Sequence, residues 1–258
     1  MNYEPPAPAR PTVMARHLIR SAFISACLFM AVPSVAAVTP ALYGIDSARS
    51  WVRVLVYRGG LLSKLGHNHV VTHRNIQGCL RMETPIYGSQ LVAELDVSEF
   101  LIDGKDERDA AGSEFPGSVP PQDIAATRGN MLGPALLDAE QHPRIRLTAA
   151  SLTGTFPQLQ MAATAHVQAR QVPITVPLTL QLQDNRVIAS GSIPIDHKQL
   201  GLRPFTAALG TLRVRNVMQL QFNVVSQRLE KSEETSDCER ALAVVDNHNP
   251  AVFDQTSK

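Results

Sequence analysis

Cysteine, aromatic residues and net charge are all scarce in this 258-residue chain, and each scarcity removes a class of function. Of three cysteines, only Cys79 and Cys238 stand outside the N-terminal apolar run. Neither belongs to a CxxC pair or a zinc-ligand spacing, so a cysteine-based redox or metal centre has no sequence support. The formal charge is +1, and residues 37–258 carry 21 basic against 22 acidic side chains. That balance offers no electrostatic footprint for a nucleic acid. No GxSxG motif places a serine nucleophile on an elbow turn. Phe, Trp and Tyr together make up 5% of the chain, so Val, Leu, Ile and Ala must build the core. The apolar run Ala22–Val32 is too short to span a bilayer as a helix, which needs about 20 residues.

That run has the layout of an export signal. Arg16 and Arg20 precede it, and Ser34-Val35-Ala36 and Val35-Ala36-Ala37 follow it with small residues suited to cleavage. Residues 1–37 are expected to be a signal peptide, with Met14 as an alternative start, and the mature chain is expected in a bacterial periplasm. Ile24-Ser25-Ala26-Cys27 looks like a lipoprotein box, so a lipid anchor at Cys27 is the alternative. An oxidising compartment permits a Cys79–Cys238 disulfide if the Cα atoms come within roughly 7 Å. Two free thiols fit the sequence equally well. Residues 38–228 suffice for one domain with a sizeable core. Residues 229–258 are polar and acidic and read as a disordered tail, with a short helix within it as the alternative.

Between signal and tail the pattern is strand after strand. In Trp51–Arg58, Val52, Val54 and Val56 share one face, and Trp51, Arg53, Leu55 and Tyr57 share the other. Leu80 and Met82, then Leu91 and Leu95, continue in hairpin order. Further alternation places Leu178 and Leu180 on one run and Met218, Leu220 and Phe222 on the last. Asp103–Pro121, charged and rich in Gly and Pro, reads as a long loop or lid. Gln122–Leu132 reads as one short helix, with Asp123 at its start. About eight long alternating strands predict an antiparallel β-barrel, whose interior is filled by side chains or holds one small ligand. The inward set includes Gly78 and Gly191, which would leave room.

Gly66-His67-Asn68-His69 follows the Trp51–Arg58 strand, and extended backbone sends His67 and His69 to one side. They read as a polar rim, as a metal pair, or as turn-holding hydrogen-bond donors. A metal pair needs a third ligand, and no Cys or carboxylate stands near at a metal-site spacing. Arg128, His197 and Arg203 are further rim candidates. Ser63 near the histidines is the single hint of a nucleophile, and nothing orients it.

Four groups of residues resemble a known family. These are Tyr43-Gly44-Ile45-Asp46 with Ser50; Met131 with Leu137-Asp138-Ala139-Glu140 and His142-Pro143-Arg144-Ile145; Ile195-Asp196 with Leu200-Gly201; and Phe205 with Gly210-Thr211-Leu212-Arg213-Val214. In order and spacing they resemble the YceI family, lipocalin-like proteins of the bacterial periplasm, over Tyr43 to Val225. The closest likeness is to the branch with a Gly-His-Asn/Asp-His motif. The resemblance implies an extended barrel closed at one end by a helix, with a polyisoprenoid or similar long lipid along its axis. It implies no cofactor and no catalytic residue. Its implied partners are that lipid and a membrane-associated donor or acceptor protein, and a monomer or a dimer fits. The twelve inward Val, Leu, Met and Phe residues named above become the expected ligand contacts. Asn216 departs from the Asp that many members carry there.

Overall fold

Alternating sequence becomes alternating structure: in the computed structural model each long strand presents one face to an interior and the other to a cover or to solvent. The structure describes Met1, residues 40–230 and residues 233–246; the expected signal segment, with Cys27, lies outside the described residues. The strands are β1 (Ala41–Ile45), β2 (Trp51–Val56), β3 (Arg58–Gly59), β4 (His69–His73), β5 (Gln77–Met82), β6 (Gln90–Asp96), β7 (Leu101–Ile102), β8 (Arg144–Thr155), β9 (Gln158–Val167), β10 (Arg170–Gln183), β11 (Arg186–Asp196), β12 (Thr206–Ala207), β13 (Leu212–Val214) and β14 (Val217–Arg228). The helices are α1 (Lys105–Ala111), α2 (Pro121–Leu132) and α3 (Glu233–Asp246).

Eight strands close into an antiparallel barrel in the order β1-β5-β6-β8-β9-β10-β11-β14, with β14 returning to β1. Closure uses β14 twice. Its Ser226–Arg228 end pairs with β1, and its Gln219–Asn223 stretch pairs with β2. Thus β1 and β2 are two halves of one bent strand. The bend is held by Ser50, fully buried, whose hydroxyl donates to the Asp46 carbonyl at 2.7 Å and accepts from the Val225 N–H at 3.0 Å. At the β2 end, β4 and β7 extend the sheet beyond the ring, and β12-β13-β3 adds a small second sheet. α2 packs beside the two-residue β7.

One stretch of wall is parted. β10 pairs with β9 from Arg170 to Thr179 but with β11 only from Thr179 to Gln183. Pro173, Pro177 and Pro194 lie along the parted half. The Leu180 N–H bonds to Pro157 O on the β9 side, so the odd-numbered positions of β10, both prolines included, turn their nitrogens toward β11.

Two expectations about covering segments are corrected. Asp103–Pro121, expected as a long loop or lid, is partly helical and packs into the core. It contains α1 and returns with Phe115 and Val119 at 2% and 5% exposure. The reason is the outward face of β2 and β4, where Leu55 and Val70 need a lid and find Phe115. Two of the segment's charged side chains, Glu107 and Arg108, are also buried. Likewise the expected disordered tail holds α3, so the described residues carry three helices and not one. Cys79, on the outward face of β5, is disulfide-bonded to Cys238 with Cα atoms 5.8 Å apart. Around that bond Val92, Leu242 and Val245 form a satellite core.

Gly78 and Gly191 leave no vacancy. A Cβ on Gly191 would sit 2.6 Å from the Phe222 ring, so Phe222 already occupies that space. Gly78, at φ +143, lets β5 approach the Val92 carbonyl too closely for any side chain.

The disulfide closes a loop spanning 159 residues of separation. Cys79→Ser/Cys238→Ser is expected to lose about 2–5 kcal/mol of unfolding free energy, read as a lower urea midpoint. The barrel's near-ultraviolet circular dichroism should persist below that midpoint. A midpoint equal to wild type would show that α3 docking alone holds this wall.

Candidate functional site

Inward side chains from opposite walls do not meet along the axis. They leave a cavity of about 450 Å³, running from Ser89 and Val187 at one end to His67, His197 and Arg213 at the other. The twelve residues expected on the inward face (Val52, Val54, Val56, Leu80, Met82, Leu91, Leu95, Leu178, Leu180, Met218, Leu220 and Phe222) all line it. Thr127, Asn130 and Met131 of α2, with Leu136 and Leu137 after it, form its wall at the histidine end. Ile124, Met131 and Leu132 pack there against the cluster containing Phe100, Val167 and Leu202.

The rim candidates divide. His67, His69 and His197 line the cavity, whereas Arg128 and Arg203 do not. Arg128 donates to the backbone carbonyls of Phe100, at 2.7 Å, and Ser98. It therefore anchors α2 to the β6–β7 segment. Arg203 is exposed on the loop after β11. His197 is buried and its Nδ1 donates to the Asn216 carbonyl at 2.8 Å; the Asn216 amide in turn donates to Asp196. Three further cations reach the cavity wall, Arg58, Arg146 and Arg213, and of these Arg146 is paired with Glu94 at 2.5 Å. Arg213 stood within a family-like segment, but nothing in the pattern distinguished a wall residue from a solvated one.

His67 and His69 are each held by an acid that sequence reading did not pair with them. His67 Nε2 donates to Asp123 at 3.2 Å, so this carboxylate serves the histidine as well as its helix end. His69 Nδ1 donates to Asp103 at 2.6 Å, and its Nε2 stands 3.4 Å from the Thr127 hydroxyl. With the proton on Nδ1, Nε2 accepts from Thr127. Asp103 also accepts from the Val70 N–H at 2.9 Å and from Arg108 at 2.6 Å. Its φ of +53 turns the carboxylate back under β4. Burial pushes the Asp103 carboxyl up, but hydrogen bonds from His69, Val70 and Arg108 outweigh it and hold its pKa below the ordinary value.

A second buried acid supports the outer face. Glu107 accepts from Arg53 at 2.6 Å, from Thr72 at 3.3 Å and from Arg74 at 2.5 Å. Burial raises its carboxyl, and the two guanidinium groups more than offset this, so its pKa too is lowered. These bonds pin α1 against β2 and β4, the strands that deliver His69.

Among the described residues no three His, Cys, Asp or Glu side chains gather as a metal site. The His67 and His69 rings stand edge-to-face with centroids 6.3 Å apart. The acids beside them engage one histidine each. The arrangement suits two oriented polar groups at the mouth of an apolar cavity.

No protein-family model and no curated protein matches this sequence. Among solved structures, the chain is similar to Burkholderia cenocepacia BcnA, with a TM-score of 0.52 and 12% identity, covering 70% of this chain and 98% of BcnA. It is also similar to a Campylobacter jejuni YceI protein, with a TM-score of 0.45 and 8% identity, covering 62% and 85%. At these identities the likeness is one of fold.

The two lowered carboxyl pKa values set a pH dependence. Each contributes stability that is fully present above its unfolded pKa, near 4, and is lost as pH falls through the depressed folded value. Wild type is expected to lose unfolding free energy steeply below about pH 4. Asp103→Asn/Glu107→Gln should flatten that slope. Removing the charge from Glu107 leaves Arg53 buried without its counter-ion, so Glu107→Gln should also cost about 3–5 kcal/mol at pH 7. Chemical denaturation at stepped pH measures both effects.

Proposed function

We propose that this chain is a YceI-like binding protein that holds a polyisoprenoid or similar long apolar lipid inside its barrel, and that it performs no catalysis. The observation that carries this reading is the continuous apolar cavity along the axis, with histidine and arginine side chains at one end. Each methylene moved from water into such a wall contributes about 0.8 kcal/mol. Ten buried methylenes therefore supply a gross driving force of about 8 kcal/mol before ordering costs. Affinity needs no polar anchor, and direction does. Arg58 and Arg213, with His67 and His69, suit a phosphate or carbonyl head group, so the tail points toward Ser89 and Val187 and the head lies at the histidine end. His67 Nε2 is engaged by Asp123, and His69 by Asp103 and Thr127, with Ser63 in none of these contacts, which leaves a hydrolytic reading without a base–nucleophile contact. Residues 1–37 are read as the signal that exports the chain to the periplasm, where such a lipid would need shielding from water; retention by a lipid anchor at Cys27 is the alternative.

Native mass spectrometry of the purified mature chain, followed by organic extraction, tests the reading. The expected result is one long-chain isoprenoid or quinone-like molecule per barrel. Leu178→Trp and Leu220→Trp, which fill the cavity from β10 and from β14, should lower its retention at least tenfold while leaving the far-ultraviolet spectrum unchanged. An empty protein that also refuses added polyprenyl lipid would overturn the proposal.

A further inference from the structure

The mouth of the cavity is framed by two loops that carry an unusual surface. One is Gly60–Gly66, between β3 and β4; the other runs from His197 to Thr211, between β11 and β13. They are locked together. The Leu62 N–H donates to the Thr211 carbonyl at 2.9 Å, and a Cβ on Gly60 would lie 2.3 Å from that same oxygen, so only glycine permits the approach. Strand β13 pairs with β3 immediately below. Phe205, Leu212 and Arg213 from one loop region and Gly66 and His67 from the other line the cavity opening.

Outward from this frame stand large apolar side chains that no described residue covers. Leu61, Leu65 and Leu209 are 90%, 74% and 106% exposed, and Leu62 and Phe205 are exposed beside them. Leu209 is held at φ +56, a left-handed conformation that a leucine adopts at a cost. The fold thus maintains an exposed leucine in a strained position where glycine or asparagine would be easier. Single exposed apolar residues need no explanation, but several on two interlocked loops mark an interaction surface.

The charge on the same loops has one sign. From Arg58 to His73 and from His197 to Val217 there is no Asp or Glu. Lys64, Lys198, Arg203, Arg213 and Arg215 are exposed there, and Arg58 is half-buried at the opening. The acids on adjoining elements are engaged: Asp123 with His67, Asp196 with Asn216, and Glu114 with Tyr57. In a chain whose total charge nearly cancels, this concentration is local. Leucines that dip and cations that surround them match an anionic lipid surface, where the apolar tips enter the headgroup region and the cations meet lipid phosphates.

We propose that the Gly60–Gly66 and His197–Thr211 loops dock the barrel mouth-down on an anionic bilayer, so that a lipid passes between membrane and cavity without crossing water. This rests on the reading of the cavity as a lipid site, but docking itself needs no bound lipid. The test is cosedimentation of the mature chain with large unilamellar vesicles of phosphatidylethanolamine and phosphatidylglycerol, against vesicles of phosphatidylcholine alone. Binding is expected to the anionic vesicles at low salt and to fall at least tenfold on phosphatidylcholine or in 0.5 M salt, roughly the Debye screening of exposed charges. Leu61→Ser/Leu65→Ser/Leu209→Asn should weaken it at least tenfold. Lys64→Glu/Arg203→Glu should weaken it by more than the roughly 25-fold expected for losing two attractions of about fivefold each. Both variants alter exposed side chains only, and native mass spectrometry of each should show the same extracted lipid as wild type. Wild type that stays in the supernatant overturns docking, as do leucine variants that bind like wild type. So does a dimer in vesicle-free solution that the leucine substitutions dissolve, since a second copy would then be the occupant. If the chain docks but yields no long-chain lipid, docking stands and the carrier reading fails.

Discussion

Everything in this molecule depends on β14 closing the sheet. A barrel interior exists only because the last strand pairs with both halves of the first, Ser226–Arg228 with β1 and Gln219–Asn223 with β2. The bend between those halves is fixed by a single buried hydroxyl, that of Ser50. Closure joins the first and last strands of the ring and makes the pleat decide what lies inside. Val52, Val54 and Val56 then line a cavity because they alternate with Arg53 and Leu55, which are driven outward and need covers of their own.

Those covers explain why the wall is built unevenly. On β2 and β4 the outer layer is α1 with Phe115, held by two buried carboxylates. On β5 and β6 it is α3, held by a disulfide. Buried ion pairs seldom add net stability over an apolar cluster of equal volume. Here they do something apolar packing could not, because Asp103 fixes both the ring of His69 and the N–H of Val70 from one position. The polar end of the cavity is thereby oriented from behind the sheet.

How much of this was legible in the sequence follows from the range of each interaction. Period-2 alternation is local, and it placed all twelve inward residues on the cavity wall. The partners of His67 and His69 were not legible, because Asp123 and Asp103 lie 56 and 34 residues away and nothing local marks them. Asp103–Pro121 was misread for a different reason. Its polarity is real, but Glu107 and Arg108 are buried by pairing with residues from elsewhere, and composition does not report pairing. Arg128 failed as a rim residue because a guanidinium looks the same in sequence whether it faces a ligand or, as here, two backbone carbonyls. The disulfide was open in the sequence, since the 5.8 Å that permits it is a product of the fold.

The parted stretch between β10 and β11 has a consequence for life in a crowded compartment. An unpaired strand edge ordinarily invites a foreign strand to add itself, and runaway addition is how sheets become fibrils. Pro173 and Pro177 turn their nitrogens to this edge, and Pro194 faces it from the other side. None of the three has a hydrogen to give, so an incoming backbone would find every second rung of the ladder missing. The barrel can leave its wall ajar there without offering a template, and the opening stays its own.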